Sequence, residues 1–340
     1  MRTKHYRINE RVNSRRIWHK LLLAPLVAVA LLLASYTKFP INNKNVEQPL
    51  NQNTFQQSVT KIEDVTEEDK PREISLPINW PEYGHAAYAV PEEKMISVHD
   101  ADDEAVPIAS LSKLITALAV LDKYPLEVGD EGPLIRMSEA DAALVGYYAQ
   151  KSGTTTLVLA GQEISQYQAL QSILMVSSNN MADSLAIWSF GSIEEYVDYA
   201  NEMLRELGLE DTIVADDASG YSPNTISTAS NMTKIGYLFM TNPVLRQITQ
   251  QKSAKIPVAG TIYNYNDYFN DEGIYGIKFG NTDEAGKCFI VASIRETIDK
   301  KEELSISVVL GANSYDSVAK DAKSVLLAGN QAHDTLKENP

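Results

Sequence analysis

Three short motifs, far apart in the sequence, contain the residue types that could together catalyse acyl transfer through a serine. They are residues 110–113 (SLSK), 177–179 (SSN) and 278–280 (KFG). A serine hydroxyl is a weak nucleophile until a neighbouring base takes its proton, and the negative charge that develops on the attacked carbonyl needs hydrogen-bond donors. The three motifs offer a nucleophile, a base and polar groups for these tasks.

The first motif supplies the nucleophile and the base. Residues three apart in a helix lie on one face, so Ser110 and Lys113 can approach each other. A lysine with an ordinary pKa of about 10.4 is a poor base at neutral pH, but burial and a second cation would both favour the neutral amine. The free N–H of Ser110 at a helix start could also help to form an oxyanion hole. As an isolated motif, Ser-x-x-Lys is more often a helix cap with a solvated lysine.

The other two motifs supply polar groups. The Ser177 hydroxyl can relay a proton, and the Asn179 amide can hold a substrate peptide through its donor and its acceptor. The same residues are also typical of a helix N-cap. Lys278 lies on a predicted strand, where it can supply the second cation and attract a terminal carboxylate, or simply face solvent. Gly280 would let a substrate approach the strand backbone closely.

The hydrophobic pattern that must position these motifs predicts an α/β fold. Residues 110–121 are almost wholly apolar after their first turn, which indicates a buried central helix. Short runs at 85–90 and 95–99, separated by a turn at 91–94, predict a hairpin. Further helices are predicted at 138–149, 165–176, 179–189, 192–207 and 318–327, and strands at 288–293 and 304–310. Strands near both ends should therefore share one sheet, and the motifs should meet where this sheet joins a central helical part.

At these residues the chain resembles the serine D-Ala-D-Ala carboxypeptidases of the low-molecular-mass penicillin-binding type. The similar segments are residues 107–114 (PIASLSKL), 174–179 (LMVSSN) and 276–286 (GIKFGNTDEAG). Intervening segments match in the same order: 206–209 (ELGL), 217–220 (DASG) and 227–233 (STASNMT). The resemblance spans about residues 76–327, and its combined order and spacing are far more specific than any single motif.

The resemblance implies a β-lactamase/transpeptidase-like fold, with an antiparallel sheet built from both ends of the domain and a central helical subdomain. It implies that Ser110 is acylated by a peptidoglycan stem peptide ending in D-Ala-D-Ala. The last D-alanine would then leave, and water would hydrolyse the acyl-enzyme. β-Lactams would acylate the same serine as inhibitors, and no metal or organic cofactor is implied.

The resemblance also implies a role for each residue. Lys113 would be the general base, and Ser177 would pass the proton to the leaving amine. Asn179 would orient the substrate and Lys278 would bind its carboxylate. The backbone N–H groups of Ser110 and Asn281 would form the oxyanion hole. The full implied set of substrate-binding residues is Asn179, Lys278, Gly280, Asn281 and Thr282.

Two departures from the family pattern concern recognition of the substrate carboxylate. Phe279 stands where members normally have Thr or Ser, and phenylalanine offers no hydroxyl. Residues 314–324 contain only lysines, whereas many members have an arginine near the start of the final helix. The alternatives are therefore a non-catalytic peptidoglycan- or partner-binding pseudoenzyme of the same fold, a D,D-endopeptidase, or a β-lactamase, although no deacylating glutamate loop is recognisable.

The N-terminal region predicts export to the cell envelope. Residues 1–20 contain seven Lys or Arg against one Glu, and residues 21–36 carry no charge. Basic residues before an apolar segment indicate a cytoplasmic N-terminus, so 21–36 is expected to be a single-pass membrane anchor or a cleaved signal. We expect a flexible polar linker at 37–74, the catalytic domain at 75–330 and a tail at 331–340.

Composition argues against several other functions. The chain has a net charge of −15 although its first residues are basic, so its acidic body is unsuited to nucleic acid. Cys288 is the single cysteine and lies in an apolar run, which excludes an intramolecular disulfide and predicts a core residue. His85, His99 and His333 show no ligand spacing, so a zinc site is not expected.

Overall fold

Strands from both ends of the described chain meet in one sheet. The computed structural model describes residues 71–99, 103–266, 273–296 and 301–338. Its strands are β1 (Arg72–Glu73), β2 (His85–Val90), β3 (Met95–Val98), β4 (Val106–Pro107), β5 (Leu134–Arg136), β6 (Glu163–Ser165), β7 (Ile226–Ser227), β8 (Ser253–Ile256), β9 (Gly260–Tyr263), β10 (Ile274–Thr282), β11 (Gly286–Glu296) and β12 (Glu302–Ala312). Its helices are α1 (Ser112–Lys123), α2 (Glu139–Gln150), α3 (Gln166–Met175), α4 (Asn179–Phe190), α5 (Ile193–Glu206), α6 (Ala229–Thr241), α7 (Pro243–Gln250) and α8 (Tyr315–Glu338).

The main sheet has six strands in the order β1-β3-β2-β12-β11-β10. β1 pairs with β3 in parallel, and all other neighbours in this sheet are antiparallel. The β2–β3 hairpin near one end of the described chain therefore pairs with β12 near the other, which confirms the predicted sheet built from both ends. Because β10 is an edge strand, its outer edge is left for the helical part and the cleft described below.

Each face of this sheet covers a different hydrophobic core. Successive residues of a strand point to opposite faces, so Val308 packs into the core with the central helices whereas Val309 packs into the core beneath α8. Ile290 and Phe289 on β11 divide in the same way. In α1 every residue from Ser112 to Leu121 is buried, as the apolar run predicted. A fully buried leucine or isoleucine contributes roughly 1.5–3 kcal/mol, so this helix anchors the helical part firmly.

Serine caps set several of the predicted helix starts. Ser138 and Ser165 each accept a hydrogen bond from the third helical N–H, and the side chains at those positions bond back to form capping boxes. Ser192 caps α5 by accepting from the Glu195 N–H. Substituting such a cap by alanine costs about 1 kcal/mol. Gly208, which was predicted to close α5, has φ of 66° directly after the helix end, a conformation that favours glycine.

Three boundaries differ from the sequence prediction. The helix predicted at 110–121 begins at Ser112, because Ser110 lies in a 3₁₀ turn, Ala109–Leu111. The helix predicted at 318–327 is α8 and continues to Glu338, so most of the residues predicted as a tail are helical; buried Ala332 and His333 hold this extension against the body. The strand β1 lies within the stretch predicted to be linker, since its backbone pairs with β3.

The remaining N-terminal predictions lie outside the described residues. These are the basic segment 1–20, the apolar segment 21–36 and most of the linker 37–74. None of the helices in the described part of the chain is long and apolar enough to cross a membrane. Cys288 is fully buried, as its apolar neighbours predicted.

A cluster of charged residues ties α8 to the sheet. Glu303 on β12 has a side chain only 7% exposed and forms ion pairs with Arg295 on β11 and Lys337 on α8. Glu93 accepts from Lys337 Nζ at 2.7 Å and lies 2.6 Å from His333 Nε2. We call these five residues the charge cluster. The ligand atoms of Glu93, Glu303 and His333 lie within 4.8 Å of one another, but Arg295 and Lys337 already supply positive charge there, so the arrangement is an ion-pair network.

Candidate active site

The nucleophile candidate and its base are in direct contact. Lys113 Nζ lies 2.8 Å from Ser110 Oγ, as their spacing predicted. The same amine is 2.8 Å from Asn179 Oδ1 and 2.7 Å from the Ser219 carbonyl oxygen. Lys113 is completely buried, and each of these three partners is an uncharged oxygen. The lysine is thus fixed in position without a carboxylate to hold it in the charged form.

Burial is what lowers the pKa of Lys113, to about 7 from an ordinary value of 10.5. The negative charges of Asp217 and Asp183 oppose this shift and keep it from going further. The sequence predicted that the charge on Lys278 would depress Lys113, but desolvation is the main cause here. A base is most effective when its pKa is close to the working pH, so Lys113 suits proton abstraction from Ser110 near neutrality.

The turn that holds Ser110 is supported by a closely packed glycine. Ala109 has φ of 47°, a left-handed conformation that is strained for a residue with a side chain. Gly220, with φ of 68°, lies against it: a β-carbon there would be 2.0 Å from the Ala109 carbonyl oxygen and 2.7 Å from Ser112 Cβ. Only glycine fits, and its segment holds the strained turn that presents Ser110.

The second motif occupies the loop between α3 and α4. Ser177 has φ of 60°, a second strained non-glycine residue at the site. Ser178 precedes α4 but makes no side-chain capping bond; its hydroxyl instead accepts from the Thr156 N–H at 2.9 Å and contacts Asn180 Oδ1. Asn179 donates its N–H to the Thr154 carbonyl at 2.8 Å. The motif is therefore held by long-range contacts rather than acting as an ordinary helix cap.

The third motif lies on the edge strand β10. Lys278 is only 1% exposed, and its Nζ donates to the Phe279 carbonyl at 2.7 Å. Burial, and then the charge of Lys113, hold the pKa of Lys278 well below its usual range. A β-carbon on Gly280 would lie 3.0 Å from the Ile108 carbonyl oxygen and 3.1 Å from the Ser110 nitrogen. Glycine at this position lets β10 approach the Ser110 turn closely.

The outer edge of β10 presents backbone groups beside Ser110. The Phe279 N–H donates to Asn266 Oδ1 at 3.1 Å, and the Phe279 carbonyl accepts from Lys278, so both groups point away from β11. Backbone groups alternate along a strand, which places the Asn281 N–H on the same edge two residues further on. This N–H and that of Ser110 flank Gly280 at the closest approach between strand and turn. The pair has the arrangement that an oxyanion hole requires.

One cleft of about 450 Å³ gathers the predicted site residues. Lys113 lies buried beneath it, where it contacts Ser110. Thr282, at the end of β10, also accepts from the Ala285 N–H at 3.1 Å and so closes the following turn. The predicted residues that line the cleft are Ser110, Ser177, Asn179, Lys278, Gly280, Asn281 and Thr282.

Two buried aspartates behind Lys113 were not predicted as site residues. Asp183 accepts from the Tyr148 hydroxyl at 2.5 Å and from the Ala218 N–H at 3.0 Å, and burial raises its pKa to about 6. Asp217 accepts from the Ser219 N–H at 2.6 Å. Together they fix the segment whose Ser219 carbonyl contacts Lys113. The helical spacing of Asp183, four residues after Asn179, was the available signal, since such residues share a helix face.

Comparison with known proteins agrees with this geometry. The family model described as D-alanyl-D-alanine carboxypeptidase (Peptidase S11) matches residues 92–314. A D-alanyl-D-alanine endopeptidase of Pseudomonas aeruginosa is 32% identical over 58% of this chain and 62% of its own length. A second one, from Escherichia coli, is 28% identical over 55% of this chain and 59% of its own length. The chain therefore spans less than two thirds of these relatives.

A solved structure extends the similarity to the fold. The crystal structure of D-alanyl-D-alanine carboxypeptidase from Mycobacterium tuberculosis superposes with a TM-score of 0.64 at 25% identity, and the alignment covers 77% of this chain and 96% of that one. The predicted β-lactamase/transpeptidase-like architecture, with its antiparallel sheet and helical part, is thereby confirmed.

Proposed function

Because this chain belongs to the D-alanyl-D-alanine carboxypeptidase family, we propose that it is a serine D,D-carboxypeptidase acting on peptidoglycan stem peptides. The observation that carries this proposal is the 2.8 Å contact between Ser110 Oγ and the buried Lys113 amine. A binding protein would have no need for a lysine whose pKa is lowered to about 7 beside a serine hydroxyl.

The proposed reaction begins with proton transfer from Ser110 to Lys113. Ser110 Oγ attacks the carbonyl of the penultimate D-alanine, and the N–H groups of Ser110 and Asn281 stabilise the oxyanion. Ser177 passes the proton to the leaving nitrogen, so that the C–N bond breaks and D-alanine departs. Water then attacks the ester, which restores the serine hydroxyl and releases the shortened peptide.

Substrate binding is proposed to follow the β10 edge. Asn179 would orient the stem peptide, and Lys278 would attract its terminal carboxylate. Gly280 leaves room for the substrate backbone next to the Ser110 turn, since a side chain there would crowd it. Asn281 and Thr282 line the same cleft. β-Lactams are proposed to acylate Ser110 in the same way.

We propose that the enzyme acts outside the cytoplasmic membrane, in the cell envelope. Residues 1–20 are basic and 21–36 are uncharged, which supports an exported chain held by a single-pass anchor or released from a cleaved signal. Membrane fractionation with sequencing of the mature N-terminus tests this: an intact N-terminus in the membrane fraction supports the anchor, whereas a wholly cytosolic protein overturns the assignment.

The activity is tested by incubating the full chain with a muropeptide ending in D-Ala-D-Ala and quantifying released D-alanine. Ser110→Ala should abolish release while the thermal unfolding midpoint stays unchanged, because only one oxygen atom is lost. Mass spectrometry should find an ester adduct on Ser110 after penicillin treatment. A folded wild-type protein that neither releases D-alanine nor forms the adduct would contradict the proposal.

D,D-endopeptidase activity is a second candidate. It is favoured by the 32% identical relative from Pseudomonas aeruginosa, which is described as an endopeptidase. The two activities share the acyl-enzyme and differ in the group that leaves. Cross-linked and uncross-linked muropeptides offered together would measure which one the enzyme prefers.

A further inference from the structure

One wall of the active-site cleft is built from aromatic rings. Phe279 stacks on Phe289 with ring centroids 3.6 Å apart and planes within 4°, and the edge of Tyr315 approaches Phe279 at 5.9 Å. We call these three residues the aromatic wall. Phe289 is buried in the core beneath α8, while Phe279 and Tyr315 line the cleft. The Phe279 ring is therefore fixed in place by packing on both sides.

The aromatic wall adjoins the position where the proposed function puts the leaving residue. Phe279 lies between Lys278, the proposed carboxylate partner, and Gly280, which touches the Ser110 turn. A residue whose carbonyl is held between the N–H groups of Ser110 and Asn281 has its neighbour within reach of this part of β10. The chemical character of the wall thus bears directly on the group that departs.

This part of the cleft offers little to a carboxylate. Lys278 is the one Lys or Arg among the described residues that line the cleft, and it is 1% exposed and already bonded to the Phe279 carbonyl. Burial and the nearby Lys113 also hold the pKa of Lys278 low, which disfavours its charged form. The Phe279 N–H is engaged by Asn266. A carboxylate that lost its water against the wall would therefore be poorly compensated.

A neutral leaving residue would meet no such penalty. Its apolar atoms would pack on the Phe279 ring, and each square ångström of apolar surface removed from water contributes about 25 cal/mol. An amide in place of the carboxylate carries no charge to desolvate, and it keeps a donor that polar groups such as the Tyr315 hydroxyl can accept.

We propose that Phe279 is a specificity-determining residue that makes the cleft favour peptides whose leaving residue carries no free carboxylate next to the scissile bond. Blocked or further-linked D-alanine residues belong to this class, and a terminal D-alanine does not. The inference rests on the proposed function, because it concerns the same acyl transfer at Ser110 and differs only in the leaving group that is preferred.

The test compares two peptides that differ in one group. Both are stem-peptide analogues ending in D-Ala-D-Ala, one with a free carboxylate and one with a carboxamide. The kcat/KM of the full chain is measured on each by mass spectrometry of the products. We expect the carboxamide to be cleaved at least about tenfold faster, since a charge-assisted contact of 1.5–3 kcal/mol is missing for the acid.

Two substitutions at one position form a matched pair. Phe279→Thr adds a hydroxyl donor and should shift the ratio toward the acid by about 10- to 100-fold. Phe279→Leu keeps an apolar side chain without a donor, so its ratio should stay within about threefold of the wild type. Circular dichroism establishes that each variant is folded, and the wild-type ratio tests the inference even where a variant is not.

The possible outcomes separate the inference from the proposed function. Faster cleavage of the free acid by the wild type would overturn the inference and leave the carboxypeptidase standing. A preference for the carboxamide that Phe279→Thr does not change would remove Phe279 as its cause. A folded wild type that cleaves neither peptide and forms no adduct on Ser110 would overturn both proposals.

Discussion

The buried cations of the cleft and those of the charge cluster are held in opposite ways. Lys113 and Lys278 contact uncharged oxygens, and burial lowers the pKa of each. In the charge cluster, Glu303 is paired directly with Arg295 and Lys337. Burial alone would raise the pKa of Glu303, but hydrogen bonds from Lys337 and Arg295 outweigh it and lower that pKa.

The difference separates a chemical site from a structural one. A paired buried charge resists changing its protonation state, because its partner would be left unpaired. An amine surrounded by neutral acceptors can be charged or neutral near pH 7, which proton transfer requires. Since both arrangements occur in one domain, each provides the other's control, and the predictions below test whether the contrast holds.

The largest expected effect is the loss of the base. Lys113→Met fills a similar volume but cannot take a proton from Ser110, so acyl-enzyme formation with a fluorescent penicillin should slow by about 10³-fold. Lys123→Met, at the exposed end of the same helix, should react at the wild-type rate. Comparable rates in the two variants would show that Lys113 is not the base.

The charge cluster should show the reverse behaviour. Glu303→Gln removes a carboxylate bonded to two cations, so the free energy of unfolding in urea should fall by about 2 kcal/mol while the acylation rate stays unchanged. Its control is Glu302→Gln. Glu302 is exposed and paired with Arg246, and this change should cost less than about 1 kcal/mol. A loss of acylation in folded Glu303→Gln protein would end the division of roles drawn above.

The pH dependence of acylation should follow Lys113. Its folded pKa of about 7 means that the neutral amine is lost as pH falls below 7, so the acylation rate should decline there by nearly tenfold per pH unit. Above this value the rate should level off. A stopped-flow profile that is flat between pH 5 and 9 would argue against an unprotonated lysine as the base.

The same lysine should make stability depend on pH in a defined direction. Its pKa falls from 10.5 to about 7 on folding, so between these values the unfolded chain binds more protons than the folded one. Stability should therefore rise with pH across this window, by up to about 1.4 kcal/mol per unit from this group. In Lys113→Met that rise should be smaller, which thermal unfolding at a series of pH values measures.

The smallest expected effect is at the contact between β10 and the Ser110 turn. Gly280→Ala would place a β-carbon 3.0–3.1 Å from backbone atoms of Ile108 and Ser110, so the turn must shift by a few tenths of an ångström. We expect acylation to slow by about tenfold, because small misplacements of a nucleophile are costly. Gly146→Ala on α2 meets no neighbour and should leave the rate unchanged.

Much of the fold could be predicted because its signals are local. The apolar run that became α1, and the serines that cap α2, α3 and α5, specify those elements by short-range patterns. The 3₁₀ turn at Ser110 and the full length of α8 were not predicted. Both depend on packing against distant residues: Gly220 holds the turn, and the sheet buries Ala332.

The sequence by itself determined the set of reactive groups and, through their order, the family to which the chain belongs. Only the tertiary structure decided how those groups behave. The pKa of Lys113 depends on its burial and on Asp183 and Asp217, and residue spacing carries no information about either. Likewise, the ring of Phe279 acquires its place in the cleft from Phe289 and Tyr315. Desolvation and ring packing arise from residues far apart in the chain, so they exist only once it has folded.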